Sequence, residues 1–167
     1  MMFEFLNVDE RYPVSSLVMA AIFSFMTIGM LAAIDQISSN PYLIASFGAT
    51  AVLIYGVPNA KFSRPRNVLL GHFVSAVIGI SVTMMFDMCG ILMDLMWVAC
   101  ALAVSLSIVV MMITGCVHPP GGATALTCVL SGFGTFGYVI RPIMLGIVLM
   151  MIVGQMAKGL RGSITKP

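Results

Sequence analysis

Charge is what this 167-residue sequence has least of: Lys, Arg, Asp and Glu together make up 8% of it, against 60% apolar residues. A soluble domain carries about a quarter charged residues, so a water-facing globule is excluded. No pair of cysteines has CxxC spacing; Cys89, Cys100, Cys116 and Cys128 lie in or beside apolar segments and read as small apolar residues. No Gly-x-Ser-x-Gly elbow occurs and no acidic residue falls inside an expected span. A serine nucleophile at Ser46 or Ser131 worked by His118 would therefore lack its usual support, and no enzyme is expected. A basic leader is also missing. The first hydrophobic stretch follows Glu4, Asp9 and Glu10 and runs too long for a signal peptide, so it is expected to stay in the mature protein.

What is present is hydrophobic length. The charge-free stretches between Arg11 and Asp35 and between Asp94 and His118 each exceed the roughly 20 residues that cross a hydrocarbon core. Val68 to Phe86, interrupted only by His72, and Ile143 to Ala157 with its flanks are also long enough. Two shorter apolar runs, Tyr42 to Val57 and Pro119 to Gly132, are each opened by proline. If both cross, one face collects Arg11, Lys61, Arg64, Arg66, Lys158, Arg161 and Lys166 while the other keeps Arg141. If both are re-entrant, the basic residues divide equally. Basic loops stay cytoplasmic, so six crossings with both termini cytoplasmic are expected, in a cell (inner) membrane.

A duplication runs through these segments. Gly48-Ala49-Thr50-Ala51 returns as Gly122-Ala123-Thr124-Ala125, each phrase is followed by Arg-Pro (Arg64-Pro65, Arg141-Pro142), and then come two glycines eight apart, Gly71 with Gly79 and Gly146 with Gly154. A unit of three crossings ends on the face opposite its start, so its copy must be inverted. The expected fold is an all-α membrane protein of six transmembrane helices in two inverted three-helix repeats, with short or interrupted second and fifth helices. Residues 1–12 would be a cytoplasmic segment, 13–160 one membrane domain (repeats about 13–87 and 94–160) and 161–167 a cytoplasmic tail.

His118-Pro119-Pro120-Gly121-Gly122-Ala123-Thr124 reads as the start of a helix set back from the surface. Proline suits a first turn, glycine permits close approach, and helix N-termini bind anions. Asn40, Pro41, Ser46, Phe47, Gly48, Ala49 and Thr50 offer a similar opening in the first half. With no buried charge to hold a divalent ion, the expected ligand is a small monovalent inorganic anion at Ser46, Gly48, Ala49, Thr50, His118, Gly121, Gly122, Ala123 and Thr124. Close helix packing is the other reading of such small residues, and the one preferred for Gly71, Gly79, Gly146 and Gly154. His118 and His72 are candidates for proton coupling or a gate, against plain helix-end hydrogen bonding. Arg64, Arg66, Asn67 and Arg141 are candidates for an entrance, against headgroup anchoring. The sixteen methionines are scattered like apolar filler and do not trace a copper path, so no metal or cofactor is expected. Lipid and a homo-oligomeric copy are the expected partners, with no nucleic acid.

The Pro41–Thr50 run, Arg64-Pro65-Arg66-Asn67 with Gly71-His72, and His118-Pro119-Pro120 before Gly-Gly-Ala-Thr-Ala together resemble the HPP family of integral membrane proteins, over nearly the whole chain. That resemblance implies a membrane scaffold usually described as four-spanning, sometimes carrying CBS domains for which this chain is too short. It also implies nitrite as a substrate, through plant chloroplast and cyanobacterial members associated with nitrite transport. The alternatives are another small anion or neutral solute, or a non-transporting assembly subunit.

Overall fold

A computed structural model describes residues 12–38 and 43–164, with side chains as far as residue 160. The proposed segment 1–12 (apart from Tyr12), Asn40, Pro41 and the tail from 165 lie outside it. Six helices stand among the described residues: α1 (Val14–Ile37), α2 (Ala45–Ala51, continued by a π-helical turn, Val52–Gly56), α3 (Pro65–Met88), α4 (Met96–Thr114), α5 (Pro119–Leu130) and α6 (Leu145–Ile164, preceded by the kinked turn Val139–Met144). Four are long and apolar enough to cross a membrane. The other two, α5 with 12 residues and the α2 unit with 7 plus 5, reach about 18 Å, short of a core of about 30 Å.

Contacts fix the direction of each helix. Along α3 and α5, Gly71 meets His118 while Gly79 meets Ala125 and Cys128, so these two run parallel. Along α2 and α6, Gly146 meets Phe47 and Gly154 meets Ile54, so these also run parallel. Arg66 at the start of α3 bonds the carbonyl of Thr114 at the end of α4, which makes α3 and α4 antiparallel. Ser63 just before α3 bonds carbonyls of Leu53 and Val57 at the end of α2, so α2 and α3 are antiparallel too. Tyr55 on α2 reaches Thr27 of α1 and the Met150 carbonyl of α6. Direction therefore alternates along the chain, and Lys61, Arg64, Arg66 and Lys158 gather on one face, called here the basic face.

Local chemistry explains the breaks. Arg64 is extended (φ −62°, ψ 137°) before Pro65, and Arg141 is extended (φ −125°, ψ 121°) before Pro142, as the residue preceding proline prefers. One Arg-Pro pair thus opens α3, and the other lies in the kinked turn that leads into α6. Gly115 ends α4 in the left-handed region (φ 64°), which costs glycine nothing.

The core depends on the paired glycines. A Cβ at Gly71 would lie 2.6 Å from the Cβ of His118, and one at Gly146 would lie 2.4 Å from the ring of Phe47, itself fully buried. In this way α3 receives the short α5, and α6 receives the short α2. The outer surface is apolar: Phe25, Trp97 and Ile113 are each more than 70% exposed, as lipid contact requires. Gly146→Ala is expected to cost about 1–3 kcal/mol, because Phe47 has nowhere to go. Gly29→Ala, which meets nothing within 4 Å, should be neutral or slightly stabilising. Thermal unfolding midpoints in detergent compare the two; equal midpoints would contradict the packing described.

Candidate functional site

Five polar side chains from three helices meet in the interior: Ser46 and Thr50 of α2, His72 of α3, and His118 and Thr124 at and within the start of α5, all fully buried. The centre is the His72 ring. Its Nε2 lies 2.8 Å from Thr50 Oγ1 and its Nδ1 2.7 Å from Thr124 Oγ1. Thr124 Oγ1 is 2.8 Å from Ser46 Oγ, and Thr50 Oγ1 is 2.9 Å from the Ser46 carbonyl and 3.4 Å from His118 Nε2. His118 Nδ1 donates to the Phe62 carbonyl at 2.8 Å. The two imidazole centroids stand 4.9 Å apart, and the edge of Phe47 closes the far side of His72. Thr50 and Thr124, corresponding residues of the duplicated phrase, thus bind opposite nitrogens of one ring.

Other residues expected at the site lie elsewhere. Gly48 is exposed on an apolar groove between α1 and α2, with Ala20, Phe25 and Val52, and Ala49 is exposed as well. Gly122 and Ala123 line the matching groove between α4 and α5, with Val104, Ile108 and Leu126. Helical period explains this: Gly48 and Ala49 precede Thr50 by two and one positions, and so turn away from its face. Gly121 is buried in packing, where a Cβ would meet Ser75, the Gly71 carbonyl and Met111. Pro119 and Pro120 have no N–H, and the N–H of Gly121 is bonded to the His118 carbonyl at 2.8 Å. Polarity is concentrated in side chains instead.

The candidate entrance residues divide in the same way. Arg64 lines a cleft of about 170 Å³ on the basic face, with Asn59, Ser63, Gln155 and Lys158 around it and Ile54, Val68 and Gly154 beneath. Ile54 and Val68 each stand one turn from the cluster, at Thr50 and His72, so they separate cleft from cluster. Arg66 is tied to Thr114. Asn67 is buried and donates to the carbonyls of Lys61 and Val117, both at 3.2 Å, pinning the segments on either side of His118. Arg141 is exposed on the opposite face. Two features had little signal in the sequence: the Phe62 carbonyl, because backbone groups carry none, and the Tyr55–Thr27–Met150 link, which only a tyrosine within an apolar helix hinted at. Among the described residues no cluster of three or more His, Cys, Asp or Glu is placed to hold a metal ion.

The sequence matches the HPP transmembrane region over residues 9–165. The chain belongs to the HPP family. This HPP protein is 45% identical over 115 residues to one transmembrane protein of Dictyostelium discoideum, covering 66% of this chain and 39% of that protein. It is 44% identical over 114 residues to a second from the same organism, covering 66% and 36%. It therefore spans well under half the length of these relatives. No solved structure matches it. Family and apolar helices together make it a multi-pass membrane protein.

Replacing Asn67 by Leu should cost this HPP protein about 1–3 kcal/mol, since two carbonyls beside the cluster lose a buried donor. Arg66→Gln, at an exposed position, should stay within about 0.5 kcal/mol of the wild type. Heat denaturation followed by size-exclusion chromatography separates the two outcomes.

Proposed function

We propose that this chain is a membrane transporter or channel for a small monovalent anion, nitrite being the first substrate to test, and that the solute passes between two inverted halves, α1–α3 and α4–α6. One observation carries the reading: the threonines of the duplicated phrase converge from α2 and α5 on a single buried histidine. Alternating helix directions, the matched Arg-Pro openings and the reciprocal glycine contacts support the inverted arrangement.

The chemistry of the cluster fits such a solute. Hydroxyl O–H and imidazole N–H groups can turn toward an anion, and with no formal counter-charge among them they would release it again. Ser46, Thr50, His72, His118 and Thr124 are the binding and coupling groups of this proposal, while Gly48, Ala49, Gly122 and Ala123 shape the outer grooves beside the short helices. The cleft at Arg64 and Lys158 is the entrance on the basic face, which the positive-inside rule makes cytoplasmic, together with both ends of the chain, in the cell membrane. Ile54 and Val68 are the closure. Ile54 sits in the π-helical turn Val52–Gly56, a deformable geometry often found at functional sites.

Proteoliposomes should accumulate nitrite faster than empty vesicles. Thr124→Val, which removes one hydrogen-bonding group at nearly constant shape, should slow uptake about tenfold, the kinetic equivalent of about 1.4 kcal/mol. Gly48→Ala should leave it unchanged within about twofold, and uptake equal to that of empty vesicles would refute the proposal. Membrane topology has its own check. In a background freed of the natural cysteines, Asn59→Cys and Thr135→Cys should react with an impermeant thiol reagent from opposite sides.

A further inference from the structure

We propose that the cleft at Arg64 and Lys158 is a binding site for a phosphate monoester, and that its source is the headgroup of an anionic membrane lipid in the leaflet on the basic face. The site stands on the chemistry of the cleft alone; only its effect on solute flux rests on the transport reading.

Three segments bring cations and amides together here. Arg64 is the extended residue before Pro65 at the start of α3, Asn59 lies in the connection from α2, and Gln155 and Lys158 stand one turn apart near the end of α6. All four line the cleft of about 170 Å³. A single water needs about 10–15 Å³, so the space admits a larger group. The four side chains are exposed, and none of them makes a hydrogen bond or ion pair with another described residue. Their neighbours are engaged: Arg66 donates to the Thr114 carbonyl, and Asn67 to those of Lys61 and Val117.

No carboxylate among the described residues balances the two cations. Asp35 at the end of α1, Asp87 at the end of α3 and Asp94 just before α4 all fall on the opposite face, because helix direction alternates along the chain. Asp35 accepts there from the N–H of Leu43, just before α2 begins. Two positive charges match a phosphate monoester, which carries about 1.5 to 2 negative charges at neutral pH, better than a singly charged diester. Arg64 offers a planar fork to two phosphate oxygens, Lys158 a point charge, and the amides of Asn59 and Gln155 further N–H donors. The buried cluster has no formal charge and suits a monovalent solute. The cleft suits a multivalent one.

The surroundings favour a lipid over free phosphate. Ile54, Val68, Met151 and Gly154 make the floor of the cleft apolar. On α6, Val148 and Ile152 share a row with Gln155, two turns and one turn before it, and both are exposed. Because α6 ends at the basic face, this row descends about 10 Å from the cleft into the hydrocarbon region. An acyl chain joined to a phosphate in the cleft can lie along it, whereas inorganic phosphate gains nothing from it. In the transport reading, a headgroup seated above Ile54 and Val68 stands over the closure and restrains solute entry from the basic face.

The test titrates purified wild-type protein in a neutral detergent with dioleoyl phosphatidate, dioleoyl phosphatidylglycerol, dioleoyl phosphatidylcholine and inorganic phosphate, counting bound molecules by native mass spectrometry. Phosphatidate should bind saturably, at least about tenfold more tightly than the other three. Arg64→Gln and Lys158→Gln, each checked for an unchanged elution profile, should weaken it about tenfold, the loss of one bond to a charged group. Lys61→Gln, on the same face but outside the cleft, should leave binding within about twofold at about 0.15 M salt, which screens distant charges. An equal loss with Lys61→Gln means diffuse attraction and overturns the site. Inorganic phosphate binding as tightly as phosphatidate overturns the lipid assignment, and phosphatidylcholine binding as tightly overturns both. The wild type supplies a readout independent of any variant: phosphatidate with a photoreactive acyl chain should label α6 near Val148 and Ile152, and unlabelled phosphatidate, but not phosphatidylcholine, should compete this away. Labelling that neither lipid displaces overturns the site. Nitrite uptake into proteoliposomes without phosphatidate binding keeps the transport reading and removes the lipid site; saturable binding without uptake does the reverse.

Discussion

An imidazole buried in an interior without charge must have both nitrogens partnered, because an unpaired ring nitrogen there costs about 1–3 kcal/mol. His72 meets that demand with Thr50 on one side and Thr124 on the other, and so fixes α2 and α5 against α3. The rest of the fold makes this convergence sterically possible. Glycines let the backbones beside these bonds approach closely. Gly71 and Gly121 provide that approach between α3 and α5, and Gly146 and Gly154 seat α2 against α6.

The reciprocal seating has a mechanical consequence. The α2–α6 contact and the α3–α5 contact are each closed by glycine packing. The cluster is divided along that line: Ser46 and Thr50 belong to one pair, His72, His118 and Thr124 to the other. Separation would break the bonds of Thr50 with His72 and His118 and that of Thr124 with Ser46, while the bond from His72 to Thr124 survives.

Much of this could be read from the chain. The duplicated phrase identified Thr50 and Thr124, the two histidines stood out as lone titratable groups in apolar surroundings, and the glycine pairs were readable as packing positions. Which neighbours of the threonines share their face was less legible, because a phrase of three small residues in a helix covers most of a turn and only one of the three can point inward. The prolines misled in a specific way. They mark a helix start correctly but also remove the first two N–H groups that an anion could use there. The role of Phe62 and the ties of Asn67 depend on main-chain carbonyls, which no residue type reveals.

Twelve residues of helix cannot cover a hydrocarbon core, so the short helices leave stretches of non-helical backbone at membrane depth. Lipid does not tolerate such stretches unless their polar groups are bonded within the protein. Here the bonding groups can be named: Ser63 serves the carbonyls of Leu53 and Val57 where α2 ends, and Asn67 those of Lys61 and Val117 where α5 is about to begin. A chain counted by hydrophobic length alone has four spans, whereas one counted by direction of travel has six helices alternating between two faces. The difference lies in these few polar side chains, which let α2 and α5 be short. Thr50 and Thr124 are each the sixth of twelve residues in these short units, so His72 is met at the middle of both and the polar groups gather inside the protein.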